Sequence, residues 1–218
     1  MKRIFSIVTA ISILLVYSSC GAQSKKSKDV RIVNLEAPKG KAIAAFAVGC
    51  FWCSAHIFDS VDGIDSVISG YAGGTEPNPT YESVSSETTG HAETVLVYYD
   101  PKKISYTELT KVFFASHDPT TLNRQGPDEG TSYRSILFYR TPAEKAIAQQ
   151  AVRDATRSGR FLKPIVTELK PLTVFYRAEA YHQDYEKKNP NDPYIRAVSK
   201  PRYEQFKKTY KGKLKEKE

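Results

Sequence analysis

Two cysteines three residues apart, Cys50 and Cys53, bracket Phe51 and Trp52 in the stretch VGCFWCSAH at 48–56. The chain has three cysteines and one tryptophan in all, so this clustering needs a reason. A redox pair, half of a metal site and a plain buried cluster all fit the spacing. The thiolate is the reactive form of cysteine, and a helix N-terminus or a Cys-x-x-Cys pair favours it. Zinc held by a cysteine pair needs a second Cys or His pair. His56 is close, but His91, His117 and His182 stand singly, so no metal site is expected. A disulfide across so short a loop adds little to fold stability, which leaves a reactive pair as the better reading. A second residue out of character is Glu93, at the head of the apolar run Val95, Leu96, Val97, Tyr98. Turned into a pocket, it would be kept protonated by desolvation and ready to donate; turned outward, it is an ordinary strand carboxylate. Tyr81, Asp128 and Tyr133 lie in the long polar stretches 75–90 and 118–134, and loops of that length in a compact domain are usually functional.

The elements that must position these residues follow from the apolar pattern. KAIAAFAVG at 41–49 is a strand closed by Gly49, and Phe51, Ala55 and Phe58 share one helical face. Cys50 is therefore expected at the N-terminus of a helix after a strand and a turn. Strands are expected in 64–74, 91–100, 135–140 and 171–178, and helices in 105–117, 141–159 and 181–188. Ser105 and Thr141 serve as N-caps, with Pro142 at the first helical position. The tail after Pro201 reads as helical, with Tyr203, Phe206 and Tyr210 able to fold back on the body. This order predicts an α+β fold: a two-layer sandwich on a ferredoxin-like (split βαβ) unit with a mixed sheet.

Charge and the N-terminus bound the setting. The net charge of +8 over 218 residues is carried by the ends, and residues 32–206 are close to neutral. A nucleic-acid reader would carry its basic stripe on the fold, so no nucleic-acid partner is expected. Lys2 and Arg3, an apolar run from Ile4 to Tyr17 and small residues before Cys20 read as an export signal. The pattern resembles a bacterial lipoprotein leader, with Cys20 as the lipidated first residue. The organisation read from sequence is a signal peptide over 1–19, a tether over 20–40, a catalytic domain over 41–206 and a lysine-rich tail over 207–218. The expected location is outside the cytoplasm, membrane-anchored, on the periplasmic or cell-surface side.

GCFWC, GYAGG, NPTYESVSSETTGHAE, HDPTTLNRQGPDEGTSYRS and YHQDYEKKNP, in that order, resemble the class A peptide methionine sulfoxide reductases. The resemblance runs from about Ala42 to Lys208. It implies reduction of methionine-S-sulfoxide, free or in proteins, with no bound cofactor, by a monomer. Cys50 would attack the sulfoxide sulfur and become a sulfenic acid. Glu93 would protonate the oxygen, with Tyr81 and Tyr133 as hydroxyl partners and Asp128 as polar support. Phe51 and Trp52, with Gly49 and His91, would hold the substrate. Many members have Gly at the position of Cys53 and resolve the sulfenic acid with C-terminal cysteines. This chain has none there, so the resemblance implies Cys53 as the resolver and a thioredoxin-like protein as the reductant. Ala55 stands where a glutamate is common. A disulfide oxidoreductase indifferent to Glu93, and a lipoprotein binding module without turnover, are the alternative functions; an assay on a dabsylated methionine sulfoxide separates them.

Overall fold

A computed structural model describes residues 31–216. The leader, Cys20 and the first part of the tether lie outside the described residues. Strand β1 (Ala42–Val48) has the sequence AIAAFAV and is buried along almost its whole length. Period-two alternation places Phe46 and Val48 on one face and Ile43, Ala45 and Ala47 on the other. Such two-sided burial marks a central strand. It pairs antiparallel with β3 (Ala92–Tyr99) on one side and β6 (Ser135–Tyr139) on the other. Strand β2 (Ile64–Ala72) lies outside β3, so β6-β1-β3-β2 is the ferredoxin-like order. Helices α1 (Phe51–Asp59) and α3 (Tyr106–Ser116) are its two connections. The expected class is the observed one: a mixed six-stranded sheet with helices packed against it. The mixed character comes from β7 (Glu168–Pro171), which runs parallel to β6 at one edge.

Local signals explain the helix starts. Ser105 Oγ accepts the Glu108 N–H at 3.1 Å and opens α3. Thr141 Oγ1 accepts the Glu144 N–H at 3.1 Å and opens α4 (Pro142–Arg157), with Pro142 in the first turn. A short helix, α2 (Tyr81–Ser85), lies inside the stretch read as loop; Thr80 and Ser83 close a reciprocal capping box at its start.

Three boundaries differ from the sequence reading. PLTVFYRA is not one strand: β7 ends at Pro171, while Tyr176–Arg177 form β8, paired with β2 at the opposite edge. The segment between crosses the far face of the sheet, burying Leu172 and Phe175 against Ile43, Ala45 and Phe138. The described half of the tether is not free either. Val33, Leu35 and Ala37 pack on that same face, Ile32 bridges to Tyr176, and Arg31 donates to Pro79 O at 2.7 Å. The tail folds back as its aromatics suggested, but the packing runs further into 207–218 than the sequence reading allowed. Helix α6 (Lys200–Thr209) buries Phe206, Tyr210 is buried beyond it, and Leu214 bridges to Val61. The folded body thus extends past both ends of 41–206. Among the described residues no helix is long and apolar enough to cross a membrane.

Candidate active site

Cys50 sits where β1 hands over to α1, as the cap residue of the helix. The turn that aims it depends on Gly49. Its φ is +88°, and a Cβ there would lie 2.5 Å from Cβ of Gln125. Gly49 therefore shapes the approach to the cysteine and does not line the cavity. Cys50 is 6% exposed and Cys53 1% exposed, and both are free thiols.

Glu93 is turned inward. It is 3% exposed, and its Oε2 accepts the Phe51 backbone N–H at 2.8 Å. That bond ties the acid to the residue next to Cys50, joining β3 to the first turn of α1. Burial is the main cause of a Glu93 pKa raised to about 8; the Phe51 N–H pulls the other way, and Asp128 and Cys53 add to the rise. At neutral pH the group is mostly a neutral acid.

Cys50, Phe51, Trp52, Tyr81, Glu93, Asp128, Tyr133 and Tyr194 line one cavity of about 160 Å³. Small-molecule pockets usually run to roughly 300–1,000 Å³, so this one suits the end of a single side chain. Larger depressions lie elsewhere on the surface and hold neither cysteine. The aromatic wall is rigid. Trp52 Nε1 donates to His182 Nδ1 at 3.0 Å, and its ring stacks on Tyr185 at 3.8 Å, 9° from parallel. Phe51 is buried against Tyr71 and His182.

The loop carrying Asp128 and Tyr133 is fixed from two sides. Glu87 accepts from the hydroxyl of Thr131, and from Ser132 Oγ at 2.7 Å and Ser132 N at 3.2 Å. Arg134 donates to Thr131 O at 2.7 Å, Gly90 O at 2.9 Å and Glu168 at 3.0 Å. Within that loop β4 (Arg124–Gln125) and β5 (Asp128–Glu129) form a small hairpin. Burial raises Asp128, partly offset by the Tyr194 hydroxyl, which donates to its Oδ2 at 2.6 Å. Burial and the nearby Glu93 also raise Tyr81 and Tyr133, so both phenols keep their protons as donors.

The two thiols are driven apart. Burial, then Cys53 and Glu93, push the Cys50 thiol well up. Cys53 is drawn down, first by the hydrogen bond from Cys50 and further by Arg202, Ser199 and Tyr194. The two sulfurs share a hydrogen bond in which Cys50 is the donor.

Of the residues singled out from sequence, Cys50, Phe51, Trp52, Tyr81, Glu93, Asp128 and Tyr133 converge, and Cys53 lies beside Cys50. His91 does not join them. Its ring accepts from Gly74 N at 3.2 Å and meets Glu76 O at 2.8 Å, bracing the loop after β2. Sequence reasoning missed Tyr194, whose only signal was an aromatic in the NPNDPYI stretch, and it missed Arg202, Ser199 and His182 as neighbours of the site. Among the described residues no group of three His, Cys, Asp or Glu side chains is arranged to hold a metal ion.

Comparison with known proteins gives a consistent result. A family model described as peptide methionine sulfoxide reductase matches residues 42–215. Peptide methionine sulfoxide reductase MsrA 1 of Rhodopirellula baltica is 44% identical over 187 residues, 86% of this chain and 96% of its own. MsrA of Saccharolobus solfataricus is 47% identical over 173 residues, 79% of this chain and 97% of its own. Among solved structures, Mxr1 from Saccharomyces cerevisiae in reduced form is similar with a TM-score of 0.66 and 36% identity, covering 73% of this chain and 91% of that one.

Proposed function

This chain belongs to the peptide methionine sulfoxide reductase family and is a methionine sulfoxide reductase; from that premise we propose how its own residues carry the reaction. The sulfoxide enters the 160 Å³ cavity with its methyl group against Phe51 and Trp52 and its oxygen toward Glu93, Tyr81 and Tyr133. The resemblance to the class A enzymes makes the S epimer the one that is taken. Cys50 passes its proton to Cys53 and attacks the sulfoxide sulfur, while Glu93 protonates the oxygen, a poor leaving group until then. The oxygen departs as the bond between the two sulfurs forms; water then attacks the Cys50 sulfur and breaks that bond, so Cys50 is left as a sulfenic acid and methionine leaves. The substrate sulfur is reduced by two electrons and the cysteine sulfur oxidised by two. Cys53 then displaces water from the sulfenic acid, closing a Cys50–Cys53 disulfide that a thioredoxin-like dithiol reopens by exchange.

The observation that carries this reading is the 2.8 Å bond from Phe51 N–H to a buried Glu93, which holds that carboxyl in the same cavity as Cys50. The testing experiment follows dabsylated methionine-S-sulfoxide through a single turnover. Cys53→Ser should release one methionine per chain and then stall with a thioredoxin and its reductase; sustained turnover would remove Cys53 from the cycle. We also propose that the protein is exported and lipid-anchored through Cys20, a reading supported by the basic start, the apolar run and the cysteine that ends it. Mass spectrometry of the membrane fraction tests it: a mature chain starting at unmodified Gly21 or later would exclude the anchor.

A further inference from the structure

Tyr81 is held in place partly by a residue from outside the family-matched region, which begins at residue 42. Residues 31–37 form a strap on the far face of the sheet. Val33 N donates to Phe175 O at 2.9 Å, and Arg177 N donates to Arg31 O at 2.7 Å. These backbone bonds lay the strap beside β8 and bring the Arg31 side chain to the start of α2. There the guanidinium meets two groups at once. Its Nη2 donates to Pro79 O at 2.7 Å, two residues before Tyr81, and its Nη1 lies 2.6 Å from Glu179 Oε1. That same Oε1 accepts the Tyr81 backbone N–H at 3.1 Å, and Oε2 accepts the Tyr71 hydroxyl at 2.9 Å. Tyr71 packs in turn against Phe51, ring centroids 5.8 Å apart. One carboxylate therefore braces both Tyr81 and the ring behind Phe51. Glu179 has no other ion pair among the described residues. Burial works to raise its pKa, but hydrogen bonds from its own backbone and from Arg31, Tyr81 and Tyr71 hold it low, so it is charged at neutral pH. Helix α2 has five residues, too few to be stable by itself, so its tertiary partners decide where Tyr81 points. The forked, planar guanidinium can fix the spacing of two acceptors.

We propose that Arg31 is a positioning residue for the sulfoxide step: by bridging Pro79 O and Glu179 it fixes the first turn of α2 and holds the Tyr81 hydroxyl where the sulfoxide oxygen arrives. The inference rests on Tyr81 being a hydroxyl partner of that oxygen. A donor helps the transition state only when it is already aimed at the place where charge develops. Arg31 and Glu179 do not line the substrate cavity. They border a separate surface hollow with Thr80, Ser83 and Lys188 of helix α5 (Tyr185–Lys188). Arg31 thus acts through Tyr81, and the strap is part of the catalytic unit as well as a cover for the sheet.

The test is a double-mutant cycle in the reduced full-length protein: wild type, Arg31→Ala, Tyr81→Phe and the two substitutions together. Arg31→Ala removes the guanidinium and keeps the backbone bonds of the strap. Single-turnover methionine release from dabsylated methionine-S-sulfoxide is followed by rapid quench. Alkylation of Cys50 by iodoacetamide, read by mass spectrometry, reports on the fold around the thiol. Tyr81→Phe should slow release by up to about 10²-fold, the lower end of what an oxyanion donor contributes. Arg31→Ala should slow it by about tenfold when Tyr81 is present and by less than twofold when its hydroxyl is gone, because the two act as a unit. Alkylation should stay within twofold of wild type throughout. An Arg31→Ala rate within twofold of wild type would overturn the inference. So would an equal loss in both backgrounds, or an alkylation rate that changes along with turnover; either marks a general structural role. If Tyr81→Phe releases methionine at the wild-type rate, Tyr81 is not a partner of the oxygen and the inference falls with that reading. If Tyr81→Phe is slow while Arg31→Ala is normal, the reading of Tyr81 stands and only the role of Arg31 is wrong.

Discussion

Replacing Glu93 with glutamine should make the protein more stable and far less active, because one buried acid is responsible for both effects. Its ordinary value is 4.5, and burial raises it to about 8 in the fold. Between those values the folded state binds more protons at this group than the unfolded state, so stability falls as pH rises. The penalty is absent below about pH 4.5 and complete above about pH 8. Each pKa unit corresponds to about 1.4 kcal/mol, so the ionisable group destabilises the fold by about 3 kcal/mol at pH 7 and about 4 kcal/mol at pH 8, approaching about 5 kcal/mol above it. Glutamine keeps the oxygen that accepts the Phe51 N–H and does not titrate. Urea denaturation of both proteins, reduced, at several pH values should therefore show a shallower fall with pH in the variant and a gain of a few kcal/mol at neutral pH. The same variant should slow the sulfoxide step by about 10²–10⁴, since the proton donor is gone. Alkylation of Cys50 should be no slower than in wild type, because the carboxylate that helps to raise its pKa has been removed. Identical pH slopes in the two proteins would mean that Glu93 is not a buried acid. A sulfoxide rate within twofold of wild type would mean that it is not the donor.

Other substitutions test the supports of the site. Gly49→Ala forces a side chain into a φ of +88° and against Gln125; a loss of roughly 1–3 kcal/mol in urea unfolding is expected, together with slower Cys50 alkylation or turnover. Tyr194→Phe removes the hydroxyl donor to Asp128 at 2.6 Å, and leaving that half-buried carboxylate short of a partner should destabilise the fold by about 1–3 kcal/mol, measured by denaturation at neutral pH. Phe58→Ala takes out a fully buried ring stacked on Phe46 at 4.8 Å; a loss of about 3–5 kcal/mol is expected, read as a lower urea midpoint with an unchanged slope.

The reacting groups were legible in the sequence because each violated a local rule. Glu93 is an acid in an apolar strand, and Cys50 stands between a glycine-closed strand and an amphipathic helix. The central strand announced itself by continuous burial-prone residues, and α4 by its cap and proline. What escaped depends on long-range packing. Leu172, Val174 and Phe175 read as a strand because an apolar extended segment looks the same whether it pairs with neighbours or lies across a sheet. The stretch 31–40 read as tether because its charges masked a period-two pattern in Val33, Leu35 and Ala37, each on the covered face. The lysines of 207–218 hid the anchor Leu214 in the same way, although Tyr210 read as able to fold back. Tyr194 reaches Cys53 because the C-terminal segment folds back on α1; the aromatics after Pro201 suggested that return, but nothing in the spacing said which residues it would bring to the thiols. His91 misled in the opposite direction: it is near Glu93 in sequence, but its ring serves the loop after β2.

The most direct test of the mechanism is chemical. Cys53→Ser, reduced and mixed with one equivalent of methionine-S-sulfoxide, should yield one methionine and a single added oxygen located by mass spectrometry on Cys50, trappable by a sulfenic-acid reagent. Methionine formed with no oxygen on Cys50, or an oxygen carried by another residue, would contradict attack by that sulfur.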